Sequence, residues 1–488
     1  MSTLKSVFTA RDLTEGTPWK RIAQFSIPLL LGNIAQQFYN TADSIIVGRY
    51  IGDNALAAVG SAGPVMNLLM VLFVGIATGA GIMVSQYFGA KEREKLSRTI
   101  GICISLTGLA SLFVMLIGPL ITRPMLILLN TPESIINWSE EYLIIFFVGS
   151  IGFAYYNILS GILRGLGDSV SALIYLLVAT ALNVGLDIWF IAGLNMGVGG
   201  AALATVISQW ISAALCIRKL SKMTNLFDIK LKYLKPVKEY TLRIFKLGLP
   251  SGLTQAIFSM AMIIVQSLTN SFGEMIIAAN VIIMRVDGFA MMPNFSFGMA
   301  MTTYAGQNVG ARKIDRVKEG TKAGLSLAVT TAIIITAILL MFGSPLMGIF
   351  TETTELVDIS MRMMRILAVG YVAMAVTQVL SGIMRGAGDT VTPMWISLIT
   401  TIIFRVPVAY GIAHFTKSAA YPNGRPESVF ISLLVAWTLG ATITSLFFAR
   451  GNWKKKADSD IQEQGVQNLE ESLDEDLEER LTELNAEV

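Results

Sequence analysis

The sequence predicts an all-α integral membrane protein, with twelve transmembrane helices arranged as two parallel six-helix repeats. Three observations predict it. Of the 488 residues, 53% are hydrophobic and only 15% charged, and mean hydropathy is +0.61; a soluble chain carries about 25% charged residues. Runs of ~20 mostly apolar residues recur along the chain, each long enough to cross ~30 Å of hydrocarbon. The segment LSGILRGLGDSVSALIYLL, from Leu159, returns as LSGIMRGAGDTVTPMWISL from Leu380, 221 residues later. The same offset carries Gln86, Gly89 and Ala90 onto Gln307, Gly310 and Ala311, and Pro124 onto Pro345. Duplicated units of this kind in a membrane commonly enclose a substrate path where they meet.

In order, the spans fall near 22–47, 55–80, 98–121, 140–163, 171–193 and 199–217 in the first repeat. Those of the second fall near 244–269, 276–301, 321–341, 361–384, 391–414 and 427–449. Connections on one side hold 28 Lys and Arg, nine of them in the 218–246 stretch; those on the other hold six (Arg49, Arg123, Arg362, Arg365, Lys417, Arg425). This bias places both termini and the central linker in the cytoplasm of a multi-pass protein of the cell (plasma) membrane. Six spans per half means both halves enter from the same side, so the repeat is parallel, with its pseudo-twofold axis along the membrane normal. The chain therefore divides into an N-terminal lobe (1–217), a basic linker (218–243), a C-terminal lobe (244–450) and an acidic tail (451–488).

Several features carry less. The linker reads as a plain connector, with contact to an anionic leaflet as the alternative. Residues 457–488 hold 12 of the 34 acids and one base, with leucines at 469, 473, 477, 481 and 484 in helical spacing; a docked helix and a solvated tail both fit. The basic charge sits in short loops between apolar spans, which argues against nucleic acid as a partner. The N-terminus has no apolar signal core and is expected to be retained. Cys103 and Cys216 both sit in apolar runs and suit packing.

Polar groups inside the spans carry the functional signal, because a charge at the bilayer centre costs at least ~2.5–3.5 kcal/mol and such residues usually face a cavity. In the first span Asn33, Gln36, Asn40 and Asp43 are spaced 3, 4 and 3 apart, within roughly 80° of one helical face. A water-lined pathway is the reading and interhelical hydrogen bonding the alternative. The fifth span offers Asn183 and Asp187 one turn apart. Topology puts Asp43, Asp187, Thr205 and Tyr142 at a similar depth in the outer half. Those oxygens suit a proton or a small hard cation such as Na⁺, at Asp43, Asp187, Asn183 and Thr205; structural hydrogen bonding is again the alternative. Asn157 lies 15 residues past Tyr142, about 22 Å along a helix. Its level is that of Asn33 and Gln36, where a bulky solute would sit.

The second repeat does not copy this network. Its own acid is Asp287, near Arg285, with Arg405 a further intramembrane base. Asp287 is open to cation binding, to gating or to neutralising Arg405. The paired segments RGLGD (164–168) and RGAGD (385–389) read as turn chemistry in which Arg and Asp cap or pair, not as a phosphate loop, since no strand precedes them. Met291, beside Pro293, suits a flexible apolar wall, and is also ordinary packing.

At these residues the chain resembles the multidrug and toxic compound extrusion family of cation-coupled exporters over about residues 15–450. The resemblance rests on Pro28, Gln36 and Asp43, on the QxxGA loops at 86–90 and 307–311, and on the paired LSGxxRGxGD segments. Tyr142, Asn157, Asn183, Asp187 and Thr205 stand where prokaryotic members keep a first-lobe polar network, and MRVDGFAMMP (284–293) is similar to the branch with an acid in the eighth span. It implies a V-shaped, two-lobe antiporter without a cofactor, expected as a monomer. External H⁺ or Na⁺ would enter as an amphipathic, often cationic compound leaves by alternating access. The seventh span departs from the branch that carries a glutamate there, offering Gln255, Ser259, Gln266 and Asn270. On this reading Asp43, Asp187, Asn183, Thr205 and Tyr142 couple the ion. Asn33, Gln36, Asn40, Asn157, Gln255, Arg285, Asp287 and Met291 line the substrate cavity. A lipid-linked precursor flippase is the alternative; it requires several cavity arginines, for which Arg285 and Arg405 are the candidates. An enzyme is excluded as a class by the lack of any Ser/His/Asp set or metal-ligand cluster in a chain with one histidine.

Overall fold

The computed structural model describes residues 11–457, so the leucine-spaced tail lies outside the described residues. Among these, twelve long helices follow one another: α1 (Pro18–Tyr50), α2 (Asp53–Ala90), α3 (Arg93–Leu128), α4 (Glu133–Gly165), α5 (Ser169–Gly193) and α6 (Gly197–Ser221). The second set is α7 (Lys238–Asn270), α8 (Glu274–Gly310), α9 (Ile314–Gly348), α10 (Thr354–Gly386), α11 (Val391–Phe415) and α12 (Glu427–Arg450). Most run past the apolar spans at both ends, where polar and charged residues continue the helix beyond the apolar stretch.

Eleven of the twelve are long and apolar enough to cross a membrane on composition alone; α1 is the exception. The cause is its stripe of Asn33, Gln36, Gln37, Asn40 and Asp43, which lowers hydropathy in the middle of a 33-residue helix. Protein buries Asp43 and partly covers Asn33, Gln36 and Gln37, while Asn40 stays exposed. α5 and α11 each change to π-helical winding, at Ile188–Gly193 and Ile399–Phe404. These turns directly follow Asp187 and directly precede Arg405, and π turns inside helices often mark functional positions.

Small residues set the closest helix crossings. Gly161 and Gly165 of α4 pack on the backbone of Ala77 and Gly81 of α2, and their repeat partners Gly382 and Gly386 pack on Gly298 and Thr302. Each repeat thus encodes the same small-xxx-small crossing. A third, between α2 and α7, joins the lobes: Gly75 and Gly79 meet Gly248 and Gly252.

The first turns of α1 and α7 cross over. Ile22, Phe25 and Leu29 belong to the core of the second lobe, while Tyr240, Ile244 and Leu247 belong to that of the first. Farther along, Ile46 and Val47 of α1 return to a first-lobe core with Tyr142 and Phe146. α1 therefore connects the two lobes along its length.

All of these cross-lobe contacts gather at the end that carries the basic loops. There Gln86 Nε2 donates to the Gly386 carbonyl at 3.0 Å, and Gln307 Nε2 donates to the Gly165 carbonyl at 3.0 Å. The two bonds are related by the repeat offset. Residues 11–16 lie across the same seam: Arg11 N–H donates to Gly167 O, Leu13 N–H to Gln307 Oε1, and Asn308 Nδ2 to Leu13 O. The linker docks on the first lobe rather than standing free. Arg93 donates to Asp228 and the Thr224 carbonyl, and Phe227 and Tyr233 are buried. The Arg93 guanidinium holds the Asp228 carboxyl below the usual carboxylate range. A depressed pKa means this docking contact is present above the ordinary carboxylate pKa and is lost as pH falls through the lowered one.

The RGxGD turns form as expected for Gly and Asp but not for Arg. Gly167 (φ +85°) allows the turn, and an added methyl would overlap the Arg11 carbonyl. Asp168 caps α5 through Ser171 N–H (2.9 Å) and Ser171 Oγ (2.7 Å) and pairs with Lys219 at 3.3 Å. Asp389 accepts from Thr392 N–H and pairs with Lys456 at 2.9 Å. Distant lysines take both aspartates, so Arg164 and Arg385 neither cap nor pair with them. Asp168→Ala removes a buried cap and is expected to cost ~1–2 kcal/mol, seen as a lower Tm of the purified protein. Asp168→Asn should retain part of the loss.

Candidate functional site

Two polar centres emerge. The first lies within the N-terminal lobe, where α1, α4, α5 and α6 converge. The face of α1 that carries Asp43 (8% exposed) meets Asp187 of α5, which is fully buried. The two carboxyls are close enough to share a hydrogen bond. One turn back on α5, Asn183 Nδ2 reaches Thr205 Oγ1 of α6 at 3.4 Å. Tyr142 of α4 is buried beside Thr205 and the two acids. Both oxygens of Asp187, Asp43 Oδ1 and Asn183 Oδ1 are buried without a hydrogen-bond donor. Four donor-less oxygens from three residues suit a group that supplies positive charge: a proton held between the acids, or a hard cation. Asp43, Asp187, Asn183, Thr205 and Tyr142 are thus brought together.

Tyr39 also belongs here and was missed by sequence reasoning. It is 6% exposed and lies beside Thr205 and Ser208, though its hydroxyl has no hydrogen-bond partner. Its position one helical turn before Asp43 was the available signal; a lone tyrosine in a span reads as packing.

The second centre is a cavity of about 430 Å³ between the lobes, above the Gln86–Gln307 seam. Asn157 and its repeat partner Gln378 line it, as do Gln255, Phe258, Phe295 and Trp437. A side cavity of about 190 Å³ is lined by Asn33, Gln36 and Asn157 together with Arg164. Asn33 also donates to Ser296 of α8 at 2.9 Å, and Gln36 to Asn40 at 3.4 Å on the exposed side of α1.

The remaining expected cavity residues lie elsewhere. Asp287 accepts from the Tyr371 hydroxyl at 2.9 Å, with Arg405 the cation acting on it. Arg285, two residues away, is exposed. Met291 is packed in the core of the second lobe; the methionines on the cavity wall are Met299 and Met374. Neither Arg285 nor Arg405 lines the central cavity. Arg164 and Arg385 do, one from each repeat.

Two pseudo-symmetric helical lobes, a solvent cavity between them and a charged pocket within one lobe define a multi-pass membrane transporter. The MatE family model matches residues 28–189 and again 250–411, once in each repeat. The chain belongs to the MatE family, whose members are transporters and not enzymes. Among similar proteins is the probable multidrug resistance protein YoeA of Bacillus subtilis (strain 168), 29% identical over 446 residues, covering 90% of this chain and 96% of that one. The probable multidrug resistance protein YpnP of the same strain is 28% identical, covering 91% and 98%. A crystal structure of MATE in the bent conformation superposes with a TM-score of 0.85 at 25% identity, covering 91% of this chain and 98% of that one.

Proposed function

We propose that this protein is a cation-coupled multidrug exporter of the cell membrane, working as a monomer, in which H⁺ or Na⁺ enters through the Asp43–Asp187 pocket as an amphipathic compound leaves by the central cavity. The observation that carries the reading is the pair of facing, donor-less carboxylates in one lobe, set apart from the solute cavity between the lobes. A cation arriving there neutralises the pair. α1 transmits the change, since it holds Asp43 at one end, Asn33 and Gln36 on the side cavity, and the core of the opposite lobe at its start.

The charge bias makes the basic end cytoplasmic, so the state with Gln86 and Gln307 engaged is closed inward. Linkage makes the competition reciprocal: ion binding that weakens solute binding must be weakened by solute to the same factor. The names of the relatives support drug efflux over flipping of a lipid-linked precursor.

Dye-cation uptake into inverted vesicles, driven separately by a pH gradient and by a sodium gradient, tests the reading. Uptake under one or both gradients, absent from vesicles lacking the protein, is the expected result. Failure of both gradients to drive uptake of any amphipathic dye would overturn it.

A further inference from the structure

We propose that the floor of the central cavity is an oxyanion-binding site formed by Arg164 and Arg385, so that the solutes this transporter takes include amphiphiles bearing a carboxylate or phosphate-type group, zwitterions among them. The proposal rests on the exporter reading for what is moved, but its geometry stands on the cavity itself.

Both arginines line the same cavity, each contributed by the same position of the duplicated segment. Among the described residues neither has an acidic partner. The Arg164 guanidinium donates only to Ser160 Oγ, at 3.3 Å, and the Arg385 guanidinium makes no hydrogen bond or ion pair among the described residues. The acid that each RGxGD segment could have supplied is already bound elsewhere, Asp168 by Lys219 and Asp389 by Lys456. Among the described residues, no aspartate or glutamate lines the cavity. Two half-buried cations facing a shared space without a counter-charge are costly unless water or an anion meets them.

Arginine suits the role better than lysine would. Its planar fork matches carboxylate and phosphate oxygens two at a time. Around the pair, the amides of Asn157 and Gln378 offer further donors, and Phe258, Phe295 and Trp437 offer apolar and aromatic surface for the body of a solute. The volume is that of a small-molecule site. The first-lobe acids do not oppose this: Asp43 and Asp187 are enclosed in their own pocket and do not line the cavity. An acidic pathway that discourages anions and a basic floor that binds them can therefore coexist in one chain.

The test is equilibrium binding to the purified full-length protein in nanodiscs, read by fluorescence polarisation of a matched dye pair: a cationic xanthene dye with a free carboxylate, and its methyl ester. The wild-type protein is expected to bind the carboxylate form roughly tenfold more tightly than the ester. Arg164→Gln and Arg385→Gln should each reduce that preference, and the double variant should abolish it, with the carboxylate form losing affinity and the ester form not. Arg→Lys at both positions, which keeps the charge but loses the fork, should retain part of the preference and shows that the pocket still forms. Equal affinity for the two dyes in wild type, or a preference that survives in the double Gln variant, overturns the proposal.

Adding an anionic phospholipid to the nanodiscs identifies the source of the oxyanion. Competition with the carboxylate dye that disappears in the double variant assigns the site to a lipid headgroup, and lack of competition assigns it to the solute. Gradient-driven uptake of the ester dye reports separately on export. Ester transport without carboxylate preference sinks only the oxyanion site; carboxylate preference without transport of either dye sinks only the exporter reading.

Discussion

Asp43→Asn is expected to reduce gradient-driven efflux roughly 100-fold, the upper range of a coupling between two sites, while leaving the protein folded in the membrane and able to bind dye. Asparagine matches aspartate in shape, and its amide can donate to the facing Asp187 carboxylate, so packing survives where charge does not. The substitution leaves a site that resembles the neutralised pair permanently, and an antiporter that never discharges its ion loses its cycle. Asp187→Asn should give the same phenotype. The double variant should be no worse than either single one, because residues acting as a unit are strongly non-additive. Efflux by reconstituted vesicles and Tm by thermal melt separate the two roles open to the pair. A structural hydrogen-bonding role predicts a lowered Tm in both variants with residual activity in proportion. Wild-type efflux from Asp43→Asn would end the coupling assignment.

The Asp43–Asp187 pocket was legible in the sequence for a simple reason. Aspartate in a span is expensive and usually faces a cavity, and topology put these two at one depth. The same polarity keeps α1 out of the helices apolar enough to span by composition, yet the span read at 22–47 lies within Pro18–Tyr50. Arg164 and Arg385 were misplaced because Gly and Asp beside an arginine suggest a turn. Nothing local tells that Lys219 and Lys456, 51 and 67 residues after Asp168 and Asp389, take the aspartates and leave the arginines to the cavity. Met291, packed in the second-lobe core, was misplaced for a related reason: a span-8 position near an acid gives depth but not which face turns to the cavity. The crossing over of α1 and α7 into opposite lobes was beyond periodicity, since both faces of those helices are apolar enough for either partner.

Gly89→Ala and Gly310→Ala are expected to open the basic end. A methyl group at residue 89 would overlap the backbone carbonyl of Gln307, and one at residue 310 the backbone carbonyl of Gln86. Backbone on both sides leaves no rotamer through which the clash can relax. Overpacking of this kind costs ~1–3 kcal/mol, so each variant should shift the balance away from the closed seam by about 5- to 150-fold. The two substitutions occupy equivalent positions of the repeat, so they should act alike, and together more than either alone. Ser85, fully buried under Gly306 of the opposite lobe, provides the reporter. In a background where Cys103 and Cys216 are alanine, Ser85→Cys should react slowly with a membrane-impermeant maleimide added to inverted vesicles, and much faster once residue 89 or 310 carries a methyl. Gly60→Ala, where an added methyl meets nothing within 4 Å, should leave the rate unchanged. Equal labelling rates in all of these would show that the glutamine–glycine contacts do not form the gate. The coupling pocket would then have to work on the solute cavity without the lobes rocking at this seam.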